Sequence, residues 1–369
     1  MTPAGRRPVG VLLLHGTCLH WIPRGAIVKT SKSLKRAVVC TPLIAALVVC
    51  AVSAASYHLL EKITVPGDYG WDYASADTEG RRLYVGHDRE VVVINLDTDA
   101  VVGTVGGGAD MHGAAAAREF GRGFISQSNP GSVVIFDLKT LARIAEVPVG
   151  KDPNLIMFDH KTGRVFTADR GDQQVTAIDA KTGKVAGTIG PLGGRTEHGV
   201  SDEKGHMFLN LQDKGLLLRI DAQALKVLDT WSVAPCGQPS AMDMDKEHER
   251  VFIGCRSGAF AAVDGNSGHV IATLPIGLGV DALEFDAAKG LIYVSSGGDG
   301  SLSIFHEDTP DKYSLVEKVT TEIGARTLAV DHKTGRVYLP VGQFSPVPAG
   351  ARGRGPMVPG SFHVLVFGE

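Results

Sequence analysis

Short apolar triplets, each centred on an aromatic residue, punctuate the chain: LYV, GFI, VFT, MFL, VFI, IYV and VYL around Tyr84, Phe124, Phe166, Phe208, Phe252, Tyr293 and Tyr338. The steps between these aromatics are 40, 42, 42, 44, 41 and 45 residues. Six or seven residues before most of them stands an Asp that opens a polar turn: Asp77, Asp159, Asp202, Asp245, Asp286 and Asp331, with Arg118 in that place in the second repeat. A period in the low forties that holds several strands and no helix predicts a propeller blade, because one such unit cannot bury both faces of its sheet alone. The pattern therefore predicts an all-β fold, a seven-bladed β-propeller of four-stranded blades.

The sixth repeat shows how one blade is built. Strands are expected at Val280 to Phe285, Leu291 to Ser295, Ser301 to Phe305 and Leu315 to Ile323, separated by a turn at Asp286 and a Gly297-Gly298-Asp299-Gly300 loop. In most repeats the third strand ends in an Asp followed by a polar turn, at Asp97, Asp137, Asp179, Asp221 and Asp264. An Asp there bonds its own backbone two residues on and starts a turn with no ligand, so these residues read as structural. The last repeat has strands at Thr327 to Val330, Arg336 to Leu339 and Phe362 to Phe367 but no fourth, and Leu59 to Val65 has the pattern of the missing one. Pairing of that N-terminal strand into the last blade would close the ring through both termini. Between the second and third strands of that blade, Gly342 to Gly360 is a long Pro-, Gly- and Arg-rich loop.

The first 55 residues differ in kind: they carry seven basic residues and no acidic one. Lys29 to Arg36 form a positive region, Ala37 to Val52 an apolar run, and Val52 to Ala55 supply small residues for cleavage, the pattern of a signal peptide at about 28–55. Residues 1–27 are surplus to it, so translation is expected to start near Val28. The alternative is an uncleaved anchor. The expected organisation is thus a leader over 1–55, a propeller over 56–369, and a periplasmic or secreted location. Losing the leader leaves 30 basic against 40 acidic residues, a charge of −10. An acidic surface argues against general nucleic-acid binding, whose affinity rests on basic residues displacing counterions. No stretch of the repeat region is long and apolar enough to span a membrane, and a monomer is expected. Cys18, Cys40 and Cys50 lie in the leader, and Cys236 and Cys255 remain. An even pair in an exported protein reads as a disulfide, with two reduced buried thiols as the alternative.

The repeat text itself, an aromatic within LYV, IYV or VYL, then a strand such as Val175 to Asp179, a Lys-Thr-Gly turn and a strand such as Val185 to Ile189, resembles the YVTN-repeat β-propellers, the YncE-like family. The resemblance covers about residues 57–369. It implies a secreted or periplasmic seven-bladed propeller and implies little about activity, since the motif consists of scaffold residues.

In such a fold the loops leading into each first strand share one face with the loops between second and third strands, around the channel mouth. The lead-in positions are Trp71, Asp72, His112, Asn154, Glu197, His198, Gln238, Asp281 and Arg326, more polar and more varied than the turns of the other face. Variation on one face of a repetitive scaffold marks a ligand-binding surface for a small polar ligand or for a protein or peptide partner. Asp72, Asn154, Glu197 and Asp281 could instead converge on a divalent metal such as calcium, copper or zinc, as in propeller lactonases, with His112 and His198 as softer ligands or acid and base. The bland alternative is that these groups bond neighbouring backbone and channel water. Loop residues such as Ser128, Arg170 and Arg256 read as a solvated rim, and His160, His206, His248 and His332 as solvated turn residues of the opposite face. The sequence reading is a non-catalytic binding scaffold. A metal-dependent hydrolase or lactonase, and a nucleic-acid-binding propeller, are its rivals.

Overall fold

Short runs of β-branched, aromatic and other apolar residues, broken by Asp- and Gly-containing turns, give strands almost throughout, and the second and third strands of most sheets are buried on both faces. The computed structural model describes residues 56–347 and 355–369, and the expected leader lies outside them, as does part of the loop expected at 342–360. Among the described residues the one helical turn is a 3-10 segment at Arg118–Phe120.

The strands form six sheets, all of whose pairings are antiparallel. The first is six-stranded and runs Ala74–Asp77, Arg82–Asn95, Val101–Ala117, Arg122–Asn129, Ser132–Asp137 and Arg143–Pro148. Four meandering four-stranded sheets follow, starting at Pro153, Thr196, Pro239 and Val280. The closing sheet orders its strands His58–Thr64, His363–Gly368, Arg336–Val341 and Ala329–Asp331.

This corrects the seven four-stranded blades that the aromatic spacing predicts: Tyr84 and Phe124 belong to one continuous sheet. The reason lies in Met111, which pairs with Asp88 on one side and with Gln127 on the other and so stitches the two repeats together. Val101–Ala117 passes through Gly106-Gly107-Gly108 and Asp110, with left-handed φ at Gly107 and Asp110, and its pairing runs on past them.

The seven repeat aromatics are all buried, as are the aliphatic residues flanking most of them, so the apolar triplets form the packing between sheets. The N-terminal strand pairs with the last strand from His58↔Gly368 to Thr64↔His363, as its pattern led one to expect. Ala74–Asp77 also packs against Ala329–Asp331, so the first and closing sheets are neighbours. Cys236 and Cys255 form a disulfide with alpha carbons 5.6 Å apart, joining the lead-in loop of the fourth sheet to the end of that sheet's second strand.

Most turn aspartates act as expected. Asp137, Asp179, Asp221 and Asp264 each accept backbone N–H groups two to three residues on. In the first repeat that role belongs to Asn95, whose Oδ1 accepts the N–H of Asp97 and Thr98, while Asp97 pairs with Arg81. Arg118, the exception in the second repeat, reaches back to Asp77 at 3.0 Å, so the substitution replaces a turn by a bridge between neighbouring repeats. The turn histidines are not simply solvated: His206 and His248 sit 2.8 and 2.5 Å from Asp202 and Asp245, and His160 lies 3.1 Å from Glu119.

Candidate functional site at the channel mouth

The lead-in loops share a backbone device. Asp110, Asp152 and Gln238 take left-handed φ values of 53 to 56°, and Gly279 and Gly324 stand in the corresponding places with φ of 71 and 99°. Each reverses the chain two residues before a residue of the mouth: His112, Asn154, Ser240, Asp281 and Arg326. Left-handed backbone at non-glycine residues costs energy and persists where the surrounding structure fixes it.

The side chains so placed bond from one repeat to the next. His112 Nδ1 lies 2.5 Å from Asp72 Oδ2, and its Nε2 lies 2.7 Å from Ser128 Oγ. Ser128 donates to Asp152 Oδ1 at 2.6 Å, and Arg170 holds both Asp152 oxygens at 3.0 Å. Across the ring, Gln212 donates to Ser240 at 2.7 Å, and Arg256 bonds Asp281. Arg326 gives Nε to Asp281 at 3.0 Å and Nη2 to the Trp71 carbonyl at 2.6 Å, with its guanidinium 5.1 Å from the Trp71 ring centroid. Thr327 completes the link by donating to the Asp72 carbonyl at 2.8 Å. The residues read as a rim are therefore partners: Arg170 neutralises the lead-in carboxylate of its own repeat, Asp152, and Arg256 that of the next, Asp281.

Tyr73, which the sequence reading passed over, is the hub beneath this layer. It accepts a hydrogen bond from Asn154 Nδ2 at 3.0 Å and meets His198 edge-on at 5.5 Å between ring centroids. Burial and the carboxylates of Glu197, Asp72 and Asp281 push its hydroxyl well above its ordinary pKa. Glu197 is 2% exposed, and burial, with the Asp281 charge adding to it, raises its carboxyl to about 7. Its Oε2 makes no hydrogen bond among the described residues, and the same holds for Asn154 Oδ1 and His198 Nδ1. His198 is driven the other way, and burial lowers it to about 4. Tyr73 and His198 also line a second cavity of about 290 Å³ with Asp243 and Glu284, two carboxyls that burial raises and that the sequence reading missed. Their signal was faint, an acidic residue two places before the turn Asp in each of two first strands.

Nine lead-in residues were singled out, and they do not converge on one point. Asp72, His112, Asp281, Arg326 and Trp71 join one bonded chain, whereas Asn154, Glu197 and His198 gather below it. Gln238 contributes its backbone, the carbonyl accepting from the Arg256 N–H and the Ser240 hydroxyl. The four-residue metal set of Asp72, Asn154, Glu197 and Asp281 is not brought together: Asp72 and Asp281 are committed to His112 and to two guanidiniums. Among the described residues no three His, Cys, Asp or Glu side chains cluster in a way that could hold a metal ion.

Asp72, His112 and Ser128 have the connectivity of a charge-relay triad. Chemically the arrangement differs from one. A hydroxyl has one proton, and Asp152 at 2.6 Å accepts it, held ionised below its ordinary pKa by Arg170 and Ser128 against the pull of burial. Ser128 then offers His112 a lone pair, so His112 is not placed as its base, and the Asp152 carboxylate that takes the proton is weakened as one by Arg170.

No family model matches the chain, and no curated protein matches it either. Solved structures do match in fold. A chain of a mitotic checkpoint complex aligns with a TM-score of 0.69 at 12% identity over 92% of this chain and 98% of its own. The WD40 repeats of RRP9 align at 0.70 and 9% identity over 85% and 97%. A chain of Kuenenia stuttgartiensis hydrazine synthase aligns at 0.66 and 15% identity over 74% and 94%. These likenesses establish the β-propeller fold.

Proposed function

We propose that this chain is an exported β-propeller of the YVTN type that works as a non-catalytic binding scaffold and takes its ligand or partner at the channel mouth. The observation that carries the reading is the division of labour between the faces: one holds repeated turn motifs closed on themselves, the other a varied, half-buried ion-pair chain over buried polar atoms that make no hydrogen bond among the described residues. Such a chain is pre-organised, so little ordering cost is left for binding. The commitment of Ser128 to Asp152 supports binding over chemistry. The WD40 structures of similar fold lend weight to a scaffold, and the acidity of residues 56–369 argues against nucleic acid. Export rests on the leader pattern in 28–55.

The test is a thermal-shift panel of small polar compounds, organic ions and peptides on the purified protein, repeated on Arg326→Ala and on Lys181→Gln in a turn of the other face. A stabilising class whose effect disappears in Arg326→Ala and survives in Lys181→Gln supports the reading. A stabilising effect that survives the mouth variant, or no effect from any class, contradicts it. Fractionation of cells expressing the full chain checks export, with a periplasmic or secreted product expected.

A further inference from the structure

Beside the mouth, between the fifth and closing sheets, lies a cleft of about 1000 Å³, at the upper end of the size range for small-molecule sites. One wall is apolar. Trp71 stacks on Phe344 with centroids 5.3 Å apart, and Ile323 is 77% exposed on the rim. Glycines keep the wall thin: a Cβ on Gly297 would stand 2.7 Å from the Arg326 Cβ, and one on Gly298 2.7 Å from the Leu278 carbonyl.

The other wall is cationic, with Lys62, Arg256 and Arg326 in its lining. Glu322, the one carboxylate among the described lining residues, is held by Lys62 at 2.6 Å and by His363 at 3.1 Å. Arg256 and Arg326 share Asp281, one on each oxygen, and Arg326 Nη2 also lies 3.6 Å from Asp72 Oδ1. Among the described residues Arg256 Nε and Nη1 and Arg326 Nη1 make no hydrogen bond. Guanidinium donors that make no hydrogen bond, beside an apolar wall, ask for an anionic group on an apolar body, and a planar guanidinium matches a carboxylate best.

We propose that this cleft binds a small apolar carboxylate, an aryl or branched-alkyl acid, its carboxylate on Arg256 and Arg326 and its body against Trp71 and Ile323. The proposal rests on the scaffold reading above and names the ligand class for it.

Calorimetric titration with phenylacetate and with phenylacetamide, which has the same shape and no charge, tests it on the wild type, Arg256→Gln and Ile323→Ser. Ile323→Ser alters an exposed side chain, so it remains informative if Arg256→Gln fails to fold. The acid is expected to bind one to one and about tenfold or more tighter than the amide. Arg256→Gln should erase that preference, and Ile323→Ser should weaken both compounds. Equal binding of acid and amide, no binding of either, or a preference that survives Arg256→Gln overturns the proposal. A peptide ending in a free C-terminal Phe that binds where phenylacetate does not also overturns it and gives the cleft to a peptide. If the panel finds a mouth-dependent ligand of another class, only the carboxylate assignment falls. The scaffold reading falls only if no class depends on the mouth.

Discussion

Glu197 and His198 are consecutive residues, and burial moves their proton equilibria in opposite directions. Glu197 rises from 4.5 to about 7, so it keeps a proton in the fold that the unfolded chain releases, a contribution to stability lost as pH climbs from about 4.5 to 7. His198 falls from 6.5 to about 4, so the unfolded chain binds a proton that the fold refuses, and stability is lost as pH drops from about 6.5 to 4. Between those limits the two cancel in proton count. Single variants should uncover opposite slopes of up to about 1.4 kcal/mol per pH unit. Urea unfolding across this range should show stability rising with pH more steeply in Glu197→Gln than in wild type, and falling more steeply in His198→Gln. Equal slopes in both variants would refute the assignment. Ser128 is predicted to resist a fluorophosphonate probe under conditions that label a serine hydrolase, and mass spectrometry of the Ser128 peptide checks this. At this scale the sequence told which positions face the mouth, because they break the polarity of a repeating frame. It did not tell their partners: Asp72 meets His112, and Asp281 meets Arg326, from the neighbouring repeat, a register no local pattern encodes.

Among the elements, the N-terminal strand His58–Thr64 bears on closure most directly, since it is the outer strand of the sheet that joins both ends of the propeller. Ile63 is buried in the core of that sheet, and Ile63→Ala should cost about 2–4 kcal/mol in a urea titration, as core truncations do. A loss no larger than that of an exposed substitution would mean that the strand does not hold the closure. The Cys236–Cys255 bridge closes a loop with a sequence separation of 19, and its removal by a Cys236→Ser, Cys255→Ser double variant should cost about 2–4 kcal/mol. Unfolding of the wild type with and without a reductant provides the check. Strand positions and terminal pairing were legible because short apolar runs and turn chemistry are local. The count of sheets was not. Hydrogen bonding ends only where the chain turns away, and Met111 pairs on both sides within a strand whose Gly-rich turn signal does not end the ladder.

The whole molecule sets two unlike faces on one scaffold. Turn motifs of one face spend their carboxylates on their own backbone and on neighbouring His and Arg side chains. The other face leaves guanidinium donors, an apolar cleft and buried polar atoms around a channel. A ligand bound at that mouth should protect the lead-in segments near residues 71–72, 110–112, 152–154, 238–240, 279–281 and 324–326, and leave the hairpin turns of the opposite face unchanged. The most direct test is hydrogen–deuterium exchange mass spectrometry with the most stabilising compound of the thermal-shift panel, phenylacetate if the cleft assignment holds. Slowed exchange confined to the lead-in segments is the predicted result. Protection centred on the opposite turns, or none at a saturating concentration, would contradict a binding scaffold that works through its channel mouth.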